Sequence, residues 1–448
     1  MAEKLLLEFV RNGCLRIEGF MKRTYGASLF VLLLILTLAC NRQPTNAPLT
    51  KNAGGTTVTS PALVIQPGKS PAGVDSREPE LTATADGRII LSWVEKVGDK
   101  RYALRFATRD QSNWSPARTV AEGDNWFVNW ADFPSVIGLA NGSLAAHWLV
   151  KSGASTYAYD VHIAQSKDGG QTWGQPVVPH TDKTQTEHGF VSLLPLADGR
   201  VGAIWLDGRN MKDVKPGGDE HTPSPVSMTL RYAAIDGDGK LSDEAELDNR
   251  VCECCQTSAA LTAEGALAVY RDRSEAEIRD IHVVRRQQGK WDGPQMVHAD
   301  HWRVDGCPVN GPAVAADQRR VVVAWYTGAN DSPRVKAAFS SDAGATFGSP
   351  IQVDDGETLG RVDVLLLPDG SALVCWLSGT AEGGAIKVRR IRADGTLDPP
   401  AVIAKTDIGR ASGFPRMALM GDEVHFAWTE FGKPSYLRTA SANVSSYK

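Results

Sequence analysis

Seven strand-like segments along the chain each carry an aromatic anchor: Trp93, Trp148, Trp205, Tyr270, Trp325, Trp376 and Trp428. The successive spacings are 55, 57, 65, 55, 51 and 52 residues. A repeat of this length made of short strands predicts β-propeller blades, each an antiparallel four-stranded sheet. A chain of 448 residues is otherwise long enough for two or three domains. The repeat predicts one all-β, seven-bladed ring over residues 58–448.

The anchors also set a register. Asp86-Gly87, Asn141-Gly142, Asp198-Gly199 and Asp369-Gly370 all precede an anchor by seven and six positions. Such dipeptides make two-residue hairpin turns, because both positions tolerate positive φ. Each unit therefore opens with a strand, turns tightly and returns through its anchor, as in Arg88–Trp93 and Arg320–Trp325. The unit around Trp428 lacks an outer strand before the chain ends. Ser60–Pro67 resembles Ser115–Val120, an outer strand of the first unit, and is expected to complete the last blade. Closure of this kind removes exposed sheet edges.

Two turns carry a sharper pattern. Ser166, Asp168, Gly170, Thr172 and Trp173 share a spacing with Ser340, Asp342, Gly344, Thr346 and Phe347. The pattern S-x-D-x-G-x-T-aromatic resembles the Asp-box (BNR-repeat) of the sialidase-like propeller superfamily. Its role is structural: the Asp accepts backbone N–H groups across the turn and the aromatic packs into the blade. The resemblance implies a site in which several arginines grip a carboxylate, with a Tyr nucleophile assisted by Glu and an Asp acid/base. It also implies six blades, an alternative to the seven counted. Arg77-Glu-Pro79 partly echoes the family's Arg-Ile-Pro signature, Arg271, Arg361 and Arg416 offer further arginines, and Tyr326 is the candidate Tyr.

The start of the chain reads as an address. Lys22 and Arg23 follow Met21, and an apolar run from Leu29 ends at Ala39-Cys40. The run is short for a membrane span and suits a signal peptide. Residues 1–20 read as an upstream extension, 21–39 as the signal peptide, Cys40 as a lipidated N-terminus and 41–57 as a flexible tether. A bacterial cell-envelope location, anchored by lipid, follows, with simple secretion as the alternative. The formal net charge of −4 offers no basic excess for a phosphate backbone, so nucleic acid is not an expected partner. A monomer is expected.

Blade geometry sorts the loops onto two faces. The Asp boxes share one; the inter-blade connections and the ends of second strands share the other, where propellers hold ligands at the channel mouth. Candidates there are Arg77, Asp132, Glu187, His188, Asp207, Arg209, Arg271, Tyr326 and Arg361. The aromatics of Asp124–Asp132 are expected to stack on sugar rings, and an insertion from about Asn210 to Pro225 to form a lid.

Cys252, Cys254 and Cys255 open the fourth unit and Cys307 the fifth, so all four are expected to converge at the mouth, with His188 beside them. In an oxidising compartment the ordinary reading is disulfides. The alternatives are a copper(I) or zinc site, since thiolates with histidine select soft or borderline ions, and a redox-active thiol pair. No cofactor is otherwise required. The leading function expected is recognition or hydrolysis of a glycan. A non-catalytic binding scaffold and a metal- or redox-linked protein are the alternatives.

Overall fold

In a computed structural model, residues 63–110, 113–212, 226–380 and 383–445 are described. The expectations for residues 1–20, the signal peptide, Cys40 and the tether lie outside them, as does most of the insertion, at 213–225. Among the described residues no helix is long and apolar enough to cross a membrane.

Seven antiparallel sheets follow one another along the chain. Blade one runs from Ser76 to Gly123, two from Ser135 to Ser166, three from His188 to Val251 and four from Ser258 to His298. Blade five runs from Ala313 to Gln352, six from Thr358 to Thr406 and seven from Arg416 to Asn443. First strands pack on the preceding blade all round the ring, and that of blade one packs on blade seven. The fold is thus a closed propeller of seven blades, not six.

All seven anchors lie on second strands and are buried. Each covers roughly 4–6 kcal/mol of gross hydrophobic stabilisation, before conformational entropy is set against it. Three indoles find a carboxylate for their N–H: Trp93 donates to Glu95 at 3.1 Å, Trp205 to Asp207 at 2.8 Å and Trp325 to Asp300 at 2.7 Å.

The ring closes through an N-terminal strand, with Gln66, Pro67 and Gly68 paired to Ser441, Ala440 and Thr439. Blade two departs from the four-strand plan. Only Val177, through an isolated bridge to Ile163, marks its outer edge. In both Asp-box turns the Asp oxygens tie down the loop. Asp168 accepts from the Gln171 and Thr172 N–H groups at 2.9 Å, and Asp342 from the Thr346 N–H at 2.9 Å.

At the mouth face the chain enters four blades through a left-handed residue fifteen positions before the anchor: Glu78, Phe190, Arg361 and Gly413. For the three non-glycine residues this costs about 1–2 kcal/mol each.

Candidate functional site

A belt of acidic groups crosses the mouth from blade one to blade four. Tyr159 opens the third strand of blade two, and its hydroxyl lies 2.8 Å from both Asp132 Oδ2 and Glu187 Oε1. Asp132 Oδ1 accepts the Phe190 N–H at 2.8 Å, which fixes the carboxylate between two blades. Burial pushes Asp132 up to about 7, against the hydrogen bonds from Tyr159 and Phe190. Burial also raises Glu187 to about 8; Tyr159 opposes this, while Asp132, Cys307 and Glu253 reinforce it. Glu78 is lifted to about 8 by burial, with Arg77 opposing and Asp132 adding. Three carboxyl groups thus hold protons near neutral pH, as acid–base sites require.

Beside this belt is a cleft of about 280 Å³ between blades seven and one, lined by Arg77, Glu78, Asn129, Trp130, Arg410 and Phe431, among others. Arg77 Nε is buried without a hydrogen-bond partner. Among the described residues neither Arg77 nor Arg410 has an ion pair within 4 Å. Of the predicted arginines, only Arg77 keeps its guanidinium for a ligand here; Arg410 joins it unforeseen.

The other predicted arginines are committed to the scaffold. Arg271 is buried, donates to the carbonyls of Asn310, Arg279 and Tyr326 and stacks on Trp302, riveting blade four to blade five. Arg361 donates to the carbonyls of Gly409 and Gly413 and lies over Trp130; burial, then Arg410, lowers it to about 10. Arg416 is paired with Glu80 at 2.6 Å. Arg209 clamps buried Asp207 with two contacts of 2.7 Å, so neither faces the channel as a reactive group. Tyr326 packs edge-on against Trp302; the tyrosine that stands between two carboxyl groups is Tyr159, which was not among the candidates.

The expected sugar-stacking aromatics are half-buried and each already has an internal ring or cation partner, though Trp130 also lines the cleft. Trp126 stacks on Trp148, Phe127 lies 3.9 Å from Tyr159, and Trp130 is covered by Arg361 and Phe414.

The cysteines do converge. Cys252 Sγ lies 3.5 Å from Cys255 Sγ and 3.9 Å from Cys254 Sγ, and Cys254 meets Cys307 from blade five. These contacts exceed the bond length of about 2.05 Å, and all described cysteines stand as free thiols in this structure. Arg279 Nη1 stands 3.2 Å from Cys252 Sγ. Burial opposes ionisation of Cys252, but hydrogen bonds from Cys254 and Cys255 and the nearby Arg279 outweigh it and hold the thiol well below its usual range.

His188 does not join the sulfurs. Its ring stacks on His180 at 3.8 Å and faces Asp160, Asp182 and Asp207. Glu187 and His188 are adjacent on an extended chain, which sends their side chains to opposite sides. Carboxylate contacts outweigh burial and raise His188 to about 9.

Fold and mouth together define a seven-bladed propeller with a charged, thiol-bearing channel entrance. No protein-family model matches the chain, and no curated protein does. Among solved structures, a Fusarium graminearum α-L-arabinofuranosidase in complex with an iminosugar inhibitor is similar at 11% identity and a TM-score of 0.48, covering 86% of this chain and 98% of its own. A protein of unknown function from Dyadobacter fermentans is similar at 15% identity and a TM-score of 0.47, covering 83% and 95%. A mutant NanB sialidase from Streptococcus pneumoniae is similar at 9% identity and a TM-score of 0.45, covering 80% and 84%.

Proposed function

We propose that this propeller recognises an acidic glycan in the Arg77–Arg410 cleft, and that Glu78 is the group placed to protonate a glycosidic oxygen there. The observation that carries the reading is the pair of arginines without carboxylate partners lining one cleft with a buried carboxyl group. A guanidinium's planar fork suits a carboxylate or sulfate, and a carboxyl group that keeps its proton at neutral pH suits a general acid. Asp132, Tyr159 and Glu187 would form the adjoining proton-sharing wall. Placement outside the cytoplasm with a lipid anchor rests on the N-terminal sequence alone.

The test is calorimetry with sialyl- and uronyl-oligosaccharides against neutral analogues, using wild type, Arg77→Ala/Arg410→Ala and Arg303→Ala as an exposed control. Binding of the acidic sugars alone, lost only in the double variant, supports the reading; equal affinity for neutral sugars, or none for any, contradicts it. If a bound sugar is turned over, Glu78→Gln should slow turnover by about 10²–10⁴-fold.

The thiol cluster favours a second activity, capture of copper(I) or zinc. Three sulfurs in contact beside Arg279 form a soft donor set with a stabilised thiolate. Competition for copper(I) against a chromogenic chelator, in wild type and in a variant with all four cysteines changed to serine, tests it. Equal copper uptake by both proteins would end this reading.

A further inference from the structure

Cys252 and Cys255 flank a turn whose central residues are Glu253 and Cys254. A turn of this kind brings its two outer Cα atoms within about 7 Å, which is also the reach of a disulfide. The two Sγ atoms lie 3.5 Å apart. Arg279 Nη1 stands 3.2 Å from Cys252 Sγ and 3.6 Å from Glu253, and Glu277 holds the other Nη at 2.9 Å. The guanidinium is thus fixed on one sulfur of the pair. The other sulfur, on Cys255, accepts the Asn310 N–H at 3.4 Å, from the same connection that carries Cys307.

The four thiols are graded in exposure. Cys307 is exposed and Cys254 half-buried, while Cys252 and Cys255 are each 1% exposed. The same order holds in space. Cys254 meets Cys307, Cys252 Sγ lies 3.9 Å from Cys254 Sγ, and Cys255 completes the row. A molecule arriving from solvent therefore meets Cys307 first and the Cys252–Cys255 pair last. The glycan reading uses none of this.

We propose that Cys252 and Cys255 are a dithiol–disulfide couple that exchanges two electrons with external disulfides and thiols by way of Cys254 and Cys307. In the oxidising direction the Cys307 thiolate attacks one sulfur of an external disulfide, RSSR, and releases RS⁻. Cys254 then attacks the Cys307 sulfur, releasing the second RS⁻ and leaving a Cys254–Cys307 disulfide. Cys252 attacks Cys254 and frees Cys307; Cys255 attacks Cys252 and frees Cys254. The protons of Cys252 and Cys255 end on the two RS⁻ groups. The balance is RSSR and two protein thiols giving two RSH and the Cys252–Cys255 disulfide, with two electrons passing from protein to RSSR.

Arg279 gives the couple its direction. A cation on the Cys252 sulfur stabilises the thiolate, and with it the reduced pair, so the disulfide is readily handed on to outside thiols. The exchange needs no metal and is independent of the cation reading.

The test equilibrates the whole metal-free chain over a range of reduced-to-oxidised glutathione ratios, traps it by alkylation in denaturant and maps the cysteines by tandem mass spectrometry. The expected result is joint loss of the Cys252 and Cys255 thiols, with Cys254 and Cys307 still alkylated. Cys375, fully buried in blade six, is the control that stays reduced. Cys307→Ser should slow the exchange without moving its midpoint. Arg279→Gln should shift the midpoint toward the disulfide by about tenfold, the lower end for losing a hydrogen bond to a charged group, and Arg279→Lys should recover part of that shift. Circular dichroism checks the fold of each variant, and the wild-type map decides alone if one fails to fold. The proposal is overturned if all four thiols stay alkylatable in fully oxidised glutathione, or if the disulfide at equilibrium joins any other pair. An unmoved midpoint in folded Arg279→Gln, or an unchanged rate in folded Cys307→Ser, overturns it as well. None of these results bears on binding in the Arg77–Arg410 cleft.

Discussion

Arg416 stands between two carboxylates, Glu80 at 2.6 Å and Asp363 at 3.8 Å, in the seam joining blades six, seven and one. Removing a buried cation strands both negative charges, so Arg416→Met should cost about 3–5 kcal/mol in urea unfolding. Glu80→Gln in the same background should restore part of it. His147 gives a pH signature. Burial lowers it to about 3, and its Nδ1 meets Ser135 Oγ at 2.9 Å. The unfolded chain takes up a proton below about 6.5 that the folded protein refuses, so stability falls as pH drops from about 6.5 toward 3. His147→Gln should flatten that slope in thermal melts between pH 7 and 5; an unchanged slope would assign the acid sensitivity to other groups. At this scale the sequence was least legible. Arg77 and Arg271 look alike on paper, and only the backbone carbonyls around Arg271 show that it is spent on the scaffold. Tyr159 was invisible as a site residue because its partners lie 27 and 28 positions away.

Among elements, the entry to blade three is the most constrained. A Cβ on Gly189 would stand 2.0 Å from Asp132 Oδ2 and 2.9 Å from the Tyr159 hydroxyl. Gly189→Ala should therefore break the Asp132–Tyr159 contact while leaving every acidic group in place. Its effect on glycan affinity should approach that of Asp132→Ala. The closing strand gives a second prediction. Deleting Gln66–Gly68 exposes the backbone edge of Tyr436–Asn443, so the shortened protein should melt lower and self-associate in light scattering. The strands themselves were readable, because Asp-Gly and Asn-Gly turns and the aromatic anchors set local geometry without help from distant residues. The Cys252–Cys255 convergence was readable for the same reason, since its register is fixed by Tyr270. His188 was misplaced because strand alternation beside Glu187 outweighed shared loop position.

For the whole molecule, ring closure couples blade one to blade seven, and a single cooperative transition is expected on heating. The period of the anchors made this scale almost fully legible: a repeat that places seven buried aromatics on seven second strands leaves little freedom in topology. It did not reveal which mouth residues remain available for a ligand, since that depends on which partners consume each charge. The central claim is that Arg77 and Arg410 offer one cleft to an anionic sugar. Its most direct test is calorimetric titration of wild type and Arg77→Ala/Arg410→Ala with an acidic oligosaccharide and its carboxyl-reduced counterpart. Binding only by wild type and only to the acidic form is the predicted result; binding that ignores either the arginines or the carboxylate would contradict it.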